Sequence, residues 1–365
     1  MNFLRNMFSK KENTPDSYTY SDFWKWFANN EKNFFSSVKS RENIETEFFD
    51  KLAPELNKLG YRYYFLTGMK DEHTAELIFT PDGSIKDIVF VEELVEAAPL
   101  LDNWKFVALK PDSNIEQMGI RMGDYEFSKE NLFFYPIEHA QYPDEVEIVI
   151  VHEQYNEKDK QQIISGVYIF LDNYLGELNS LTTIDHLTVV GRDKAEKELI
   201  SIAKLKDYLI WREKEFVEGY QGIRHNTEND SYSMFEAKLA NGNVLLATIN
   251  TDILKWDKKA SHPWIATMII KYKPANNGLP SSADYEFLND IEVEIIGLLH
   301  DKDGYINVGR QTADGEKEIY FACKDFRKPS KVFYQIQQKH KHKHEITFDM
   351  YKDKYWQSFN RFMQN

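Results

Sequence analysis

Histidines form the only concentrated set of side chains in this sequence that could bind a metal. His340, His342 and His344 occupy every second position of a lysine-rich segment. In an extended chain the three imidazoles would face one way and could hold a divalent cation, whereas in a helix they would point apart. The alternative is a solvated basic helix end, which the helix dipole favours. We therefore predict no metal site.

Two further histidines lie in segments of loop composition. His225 is close in sequence to Glu228 and Asp230, and His262 is close to Asp257. Either histidine could form an acid–base pair if its carboxylate lay within hydrogen-bond distance. The alternative is ordinary polar surface. No phosphate-binding glycine loop, nucleophile elbow or paired-cysteine pattern is present, so the sequence predicts no cofactor.

Arg310 and Tyr320 are predicted to form a recognition pair on neighbouring strands. A guanidinium at a strand end can hold a carboxylate or a phosphate through two parallel hydrogen bonds. Tyr305 begins the strand that carries Arg310 and is predicted to share this surface. The alternative for Arg310 is a structural salt bridge, for instance to Glu316 or Glu318.

These candidate residues lie in a C-terminal region with six predicted elements. The elements are a strand at 264–272, a helix after Ser281 or Ser282, strands at 305–310 and 317–324, a helix from Pro329 and a strand ending at Met350. The order strand, helix, strand, strand, helix, strand is that of a ferredoxin-like domain.

One face of this sheet is expected to be covered by the two helices. Alternating positions place a mixed set of side chains on the other face: Tyr305, Asn307, Glu318, Tyr320, Thr347 and Asp349. This face either binds a partner or is covered by another part of the chain. A hairpin predicted at Asn241-Gly242, between strands at 232–239 and 244–250, could lie across that face or extend the sheet edge.

The rest of the chain predicts an α+β protein with two lobes. We expect a flexible leader at 1–18, an N-terminal α+β domain with a mixed or antiparallel sheet at 19–191, and a bridging helix at 199–222. The hairpin and the ferredoxin-like domain occupy 231–365. The helix after Ser21 is rich in aromatic residues, which we interpret as core. Cys323, the one cysteine, is interpreted as a buried core residue.

Composition limits the classes of function. With 45 basic and 59 acidic side chains, the net charge is −14, which argues against a general nucleic-acid-binding surface. The third predicted strand also lacks the basic and aromatic consensus of an RNA-recognition module. The sequence contains no apolar run long enough for a signal peptide or a membrane span. A cytoplasmic location without membrane contact is expected.

The C-terminal region resembles a known bacterial family. Asn277-Gly-Leu-Pro280 before an acidic helix, Val308-Gly-Arg-Gln-Thr312 and Lys317-Glu-Ile-Tyr-Phe321 look like the family catalogued as domain of unknown function 695, from about Tyr232 to Asn365. The resemblance implies a ferredoxin-like fold and a bacterial setting. The resemblance also implies a link, through domains joined to some relatives, to protein inhibitors of ribonuclease E, which is an analogy of fold alone.

We therefore expect a non-catalytic protein-binding or regulatory module with an acidic surface. The analogy suggests an RNA-processing enzyme as a partner, since an acidic surface can compete for a basic groove. The alternative is a hydrolase with its site in a cleft between the lobes, near His225, His262 and Arg310. The sequence leaves the oligomeric state open.

Overall fold

The computed structural model describes residues 18–363, and its fold is α+β. All but the last residue of the predicted leader lies outside the described residues. Within them, the α-helices are α1 (Tyr20–Ser40), α2 (Asp50–Leu59), α3 (Ile88–Glu96), α4 (Lys160–Leu175), α5 (Glu177–Thr183), α6 (Leu205–Tyr220), α7 (Ser282–Leu298) and α8 (Arg327–His340). None of these helices is long and apolar enough to cross a membrane.

The described strands form four sheets. The strands are β1 (Tyr64–Met69), β2 (Ala75–Thr80), β3 (Trp104–Ala108), β4 (Ile120–Met122), β5 (Tyr125–Phe127), β6 (Leu132–Ile137), β7 (Glu147–His152), β8 (His186–Gly191), β9 (Ile200–Ser201), β10 (Tyr232–Lys238), β11 (Val244–Asn250), β12 (Trp264–Lys271), β13 (Tyr305–Ala313), β14 (Glu316–Cys323) and β15 (Ile346–Lys352). The sheet orders are β1-β2-β3, β4-β5, β8-β7-β6-β9 and β10-β11-β13-β14-β12-β15.

The chain divides into two compact units. Unit 1 comprises the chain up to residue 133 together with residues 150–181 and 189–203. Unit 2 comprises residues 134–149, 182–188 and the chain from residue 204 onward. The candidate residues discussed above all belong to unit 2.

Unit 1 contains the aromatic-rich helix. Thr19 caps α1 in a capping box with Asp22, and Phe23, Trp24, Phe27 and Phe34 of this helix are all buried. Their burial confirms the core interpretation. β1 and β2 are antiparallel while β2 and β3 are parallel, so the three-stranded sheet of unit 1 is mixed.

Local backbone geometry interrupts three helical segments. Arg41 takes a left-handed conformation with φ of 62° after α1, and a π-helical turn at Glu45–Phe49 precedes α2. Gly176, whose φ is 80°, divides α4 from α5. Of the helix predicted at 199–222, residues 200–201 form β9 and a 3₁₀ turn precedes α6.

Unit 2 is built on the six-stranded sheet. Its elements β12, α7, β13, β14, α8 and β15 follow in the predicted order. The β10–β11 hairpin extends the sheet edge, because β11 pairs with β13 from Leu246 opposite Thr312 to Ile249 opposite Gly309. Gly309 permits this pairing: its φ is +140°, and a Cβ there would lie 2.3 Å from the backbone oxygen of Thr248.

Both helices of this sheet pack on one face. The C-terminal 3₁₀ segment covers much of the other face through Trp356, Phe359 and Phe362, which are all buried. The core beneath it contains Ala247, Ile249, Ile253, Leu254, Ile265, Ile306, Val308, Tyr320 and Ala322. The indole of Trp356 donates a hydrogen bond to the backbone oxygen of His262 at 2.9 Å. The chain itself therefore covers the face that the sequence left open.

The predicted membership of that face is wrong for two residues. Glu318, Tyr320, Thr347 and Asp349 do share a face, but Ile306 and Val308 take the expected places of Tyr305 and Asn307. The register shifts between Asn307 and Gly309, so this strand carries an irregularity that simple alternation does not reveal. Thr347 and Asp349 stay exposed beside the covering segment.

The covering segment should contribute strongly to stability. We expect Trp356→Ala to lower the free energy of unfolding by about 3–5 kcal/mol, because it opens a cavity over an apolar sheet face. Urea denaturation of the purified chain measures this. Met363→Ala is the control, since this side chain is 42% exposed and the change should stay within about 0.5 kcal/mol. A loss below about 1 kcal/mol in Trp356→Ala would contradict the covering role.

Candidate functional site

Arg310 belongs to a buried ion cluster beneath α7. Its Nη1 lies 2.9 Å from Oε1 of Glu292, and the Nζ of Lys317 lies 2.8 Å from Oε2 of the same carboxylate. The Lys317 ammonium also donates to the backbone oxygen of Leu288 at 3.2 Å. Burial lowers the pKa of Lys317, and Glu292 opposes that effect. Arg310 thus makes a structural salt bridge, with Glu292 in place of the two partners weighed from the sequence.

Tyr320 lies on the opposite face of the sheet from Arg310. Arg310 stands opposite Ile319 in the β13–β14 register, and the next residue, Tyr320, points the other way. The Tyr320 hydroxyl donates to Glu318 at 2.7 Å and accepts from Arg361 of the covering segment at 3.1 Å. Burial raises the pKa of this phenol. The structure therefore does not bring the predicted recognition pair together.

Tyr305 is buried at the start of β13, beside α8. The ammonium groups of Lys324 and Lys328 lie 5.5 and 5.0 Å from the centre of its ring. Burial raises the pKa of Tyr305 to about 12. Two lysine ammonium groups thus lie near the Tyr305 ring. Tyr305 and Tyr320 lie on opposite faces of the sheet.

His225 and His262 do come together, on either side of Trp256. The Trp256 ring centre lies 5.2 Å from that of His225 and 5.4 Å from that of His262. His225 Nε2 lies 2.8 Å from a carboxylate oxygen of Asp230, which also accepts from the buried amide of Asn250 at 2.7 Å. Of the carboxylates near His225 in sequence, Asp230 is the one that pairs with it.

His262 is fully buried, and its two ring nitrogens differ. Nδ1 lies 2.8 Å from the hydroxyl oxygen of Ser261, which in turn lies 2.6 Å from the backbone oxygen of Lys258. The single hydroxyl proton of Ser261 goes to that carbonyl, so Nδ1 carries a proton and donates. Nε2 then has a free lone pair, and it has no hydrogen-bond partner among the described residues.

The Ser261–His262 contact does not form a nucleophile and its base. The serine proton points to a backbone carbonyl, and His262 faces the hydroxyl with its protonated nitrogen. Burial and the nearby Arg224 and Lys324 lower the pKa of His262 to about 3, so the imidazole is neutral at ordinary pH. This arrangement can present a lone pair to a hydrogen-bond donor. Asp257, the carboxylate weighed as its partner, is exposed and lies 3.9 Å from the ammonium of Lys258 instead.

The histidine run is not extended. α8 ends at His340 and a turn follows, so the alternating geometry required for a shared metal is absent. His344 stacks on Phe287 with ring centres 4.6 Å apart, and His340 lies 3.5 Å from Glu294. Residues 18–363 contain no group of three side chains suited to hold a metal ion.

An uncovered apolar surface of unit 2 lies on the α7 side of the sheet. Met234 stands opposite Thr248, which stands opposite Arg310, so all three share the face on which α7 packs. Neither Met234, 77% exposed, nor Tyr232, 47% exposed, is covered by a helix. We call this surface the α7–β10 groove and define it by Tyr232, Met234, Leu246, Tyr285, Val293 and Ile296.

The sequence contained a signal for this groove. Tyr232 and Met234 alternate along β10, and Tyr285, Val293 and Ile296 give α7 a second apolar stripe beside its buried one. Val293 is 67% exposed. A helix that is apolar around more than one face usually contacts more than one surface. The buried stripe of α7 contains Leu288, Ile291 and Ile295.

Comparison with known proteins identifies the C-terminal part of the chain. Residues 231–364 match the model of a family of unknown function (DUF695), which confirms the resemblance inferred from the sequence. The match begins just before β10 and includes the covering segment. No curated protein and no solved structure matches the chain. The family description assigns no activity, ligand or partner.

The ion cluster should behave as a unit. We expect Glu292→Gln to lower the free energy of unfolding by about 3–5 kcal/mol, because it leaves the Lys317 ammonium buried without a counter-ion. The double variant Glu292→Gln with Lys317→Met should recover most of that loss, since it removes the uncompensated charge. Urea denaturation of the parent, both single variants and the double variant measures the coupling. Strictly additive losses would contradict a shared buried charge pair.

His262 should make stability depend on pH. Its pKa is about 3 in the folded protein and near 6.5 when unfolded, so the unfolded state binds more protons between these values. Stability should therefore fall as the pH decreases through that window. From about pH 6.5 to about pH 5, we expect the parent to lose about 1.5 kcal/mol more than His262→Asn. Equal losses in urea denaturation would refute a buried neutral imidazole.

Proposed function

We propose that this protein is a protein-binding module, and that the α7–β10 groove receives an amphipathic helix of its partner. The observation that carries this proposal is the one-sided covering of the β10–β11 hairpin. On one face, Ala247 and Ile249 are buried in the core of unit 2. On the other, Met234 and Tyr232 are exposed, and α7, which packs on this face of the sheet, exposes Val293.

The width of the uncovered surface suits a helix. Strands lie about 4.8 Å apart, so β10 and β11 offer a strip about 10 Å wide. An α-helix with its side chains has a diameter of about 10–12 Å. A helix lying there would continue the helical layer begun by α8 and α7, and it would bury apolar side chains against apolar side chains.

Charge defines the partner helix further. Glu236 shares this face of β10 with Met234, and Glu286 and Asp290 of α7 are exposed. Of the bases on this face, Arg310 is paired with Glu292, and Lys238 lies exposed at the end of β10. An apolar stripe flanked by lysine or arginine would complement this pattern. The net charge of −14 favours the approach of a basic partner and speeds association.

The biological partner is a separate prediction. An RNA-processing enzyme is the partner suggested by the analogy of fold with ribonuclease E inhibitors, which rests on domains joined to some relatives of this family. Proteins that hold a phosphate backbone carry basic surfaces, which is the charge the groove would take. The class of partner comes from this analogy, and the groove indicates that the contacting segment is a basic amphipathic helix.

The groove can be tested with designed peptides. We expect a labelled amphipathic peptide of about 18 residues, with a leucine stripe and lysine flanks, to bind in fluorescence anisotropy. A matched peptide with glutamate flanks should bind at least about tenfold more weakly. Met234→Asp and Val293→Asp should each weaken the lysine peptide by about tenfold or more, because each places a charge in the apolar contact.

Leu100→Asp is the matched control, since it makes the same kind of change at a fully exposed leucine of unit 1. It should leave peptide binding unchanged. Equal binding by parent and groove variants would overturn the proposal. A concentration-dependent dimer in light scattering that the groove variants dissolve would also overturn it, because a second copy of this chain would then occupy the groove.

A further inference from the structure

Two cations meet at the end of the six-stranded sheet where β13 begins and β14 ends. Both pack on Gly304, whose φ is +87°: a Cβ there would lie 2.7 Å from Cδ of Lys324 and 3.2 Å from Nε of Arg224. Lys324 also donates its backbone N–H to the Gly304 oxygen at 3.0 Å. Like charges held this close repel unless an anion lies between them.

The carboxylates around this point already have partners. Asp230 pairs with His225, Asp301 accepts from Thr227, Asp303 pairs with Lys328 and Asp325 pairs with Arg327. Within residues 18–363, neither Arg224 nor Lys324 forms an ion pair with a carboxylate. The Arg224 guanidinium donates to the backbone oxygen of Ile223, and the Lys324 ammonium lies over the Tyr305 ring. Asp303 and Asp325 act on the Lys324 charge, but each forms its ion pair with another cation, so within the described residues Arg224 and Lys324 have no carboxylate of their own.

A buried acceptor without a donor lies beside these cations. His262 is 0% exposed, and residues 18–363 provide no hydrogen-bond partner for its Nε2. The positive charges of Arg224 and Lys324 act on this imidazole, which places it within their electrostatic reach. A buried polar atom left without a partner costs free energy, so such an atom next to two unpaired cations indicates a missing ligand.

We propose that this cluster, which we call the sheet-end site, binds inorganic phosphate. The charged oxygens of the anion would accept hydrogen bonds from Arg224 and Lys324. Its remaining P–O–H would donate to Nε2 of His262, whose lone pair is free because Nδ1 carries the proton. The side chains of Arg224 and Lys324 are exposed, so their charged groups can turn towards an entering anion by rotamer changes without backbone movement.

The acceptor selects the kind of anion. Hydrogen phosphate keeps a proton near neutral pH, whereas sulfate of the same shape and charge has none to donate. Sulfate would leave Nε2 buried and unpaired, and that loss corresponds to about tenfold or more in affinity. The dianion of a phosphate monoester also lacks a P–O–H above about pH 7 and should resemble sulfate.

Calorimetric titration of the full chain at constant ionic strength tests the site. The probes are inorganic phosphate, sulfate and methyl phosphate, at about pH 7.5. Phosphate should bind at least about tenfold more tightly than the other two. Arg224→Gln and Lys324→Gln should each weaken phosphate by about tenfold, because each removes a charged hydrogen bond. His262→Asn keeps a nitrogen near the Nδ1 position but removes Nε2, and it should abolish the preference for phosphate over sulfate.

Lys273→Gln, at an exposed lysine beyond the other end of β12, is the charge-matched control and should bind phosphate like the parent. Arg224→Gln changes an exposed side chain, so it keeps the test decisive should His262→Asn fail to fold. No measurable phosphate binding, equal affinity for phosphate and sulfate, or binding unchanged by Arg224→Gln would each overturn the proposal. Met234→Asp should leave phosphate binding intact, so failure of the α7–β10 groove is distinguished from failure of this site.

Discussion

The width of a helix relative to the spacing of strands determines which surfaces of unit 2 stay open. A helix covers about two strands, so α7 and α8 suffice for the four strands of the C-terminal βαββαβ segment. The β10–β11 hairpin adds two strands without adding a helix. Uncovered apolar surface on the α7 side follows directly from this imbalance. The ion pairs of Glu292 with Arg310 and Lys317 attach α7 to the strands beneath it.

Different kinds of segment cover the two faces of the six-stranded sheet. On the α7 side, long helices leave a strip uncovered. On the other side, the short segment around Trp356 and Phe359 follows the curvature of the sheet and seals much of it. The hydrogen bond from Trp356 to the His262 backbone joins this segment to the loop that carries His262. Packing of the covering segment and the position of His262 are thus coupled.

Elements with one dominant pattern were predictable from the sequence. The Asn241-Gly242 turn, the alternation of β14 and the buried stripe of α7 are local signals, and the structure contains each of them. The irregularity near Gly309 was not predictable, because its cause is the approach of another strand's backbone. Arg310 and Tyr320 were paired by their chemistry, but which face a side chain takes depends on register. The meeting of His225 and His262 at Trp256 depends on tertiary contacts between loops, for which the sequence offers no period.

The order of the elements along the chain has a consequence for biosynthesis. The covering segment follows β15, so the ribosome makes every strand of the six-stranded sheet before it makes Trp356. During that interval the nascent sheet exposes Ile265, Ile306 and Val308 to solvent or to a chaperone. Translational pausing or premature termination shortly after β15 would prolong this state. The product would be prone to aggregation and a target of protein quality control, even though its strands and helices were complete.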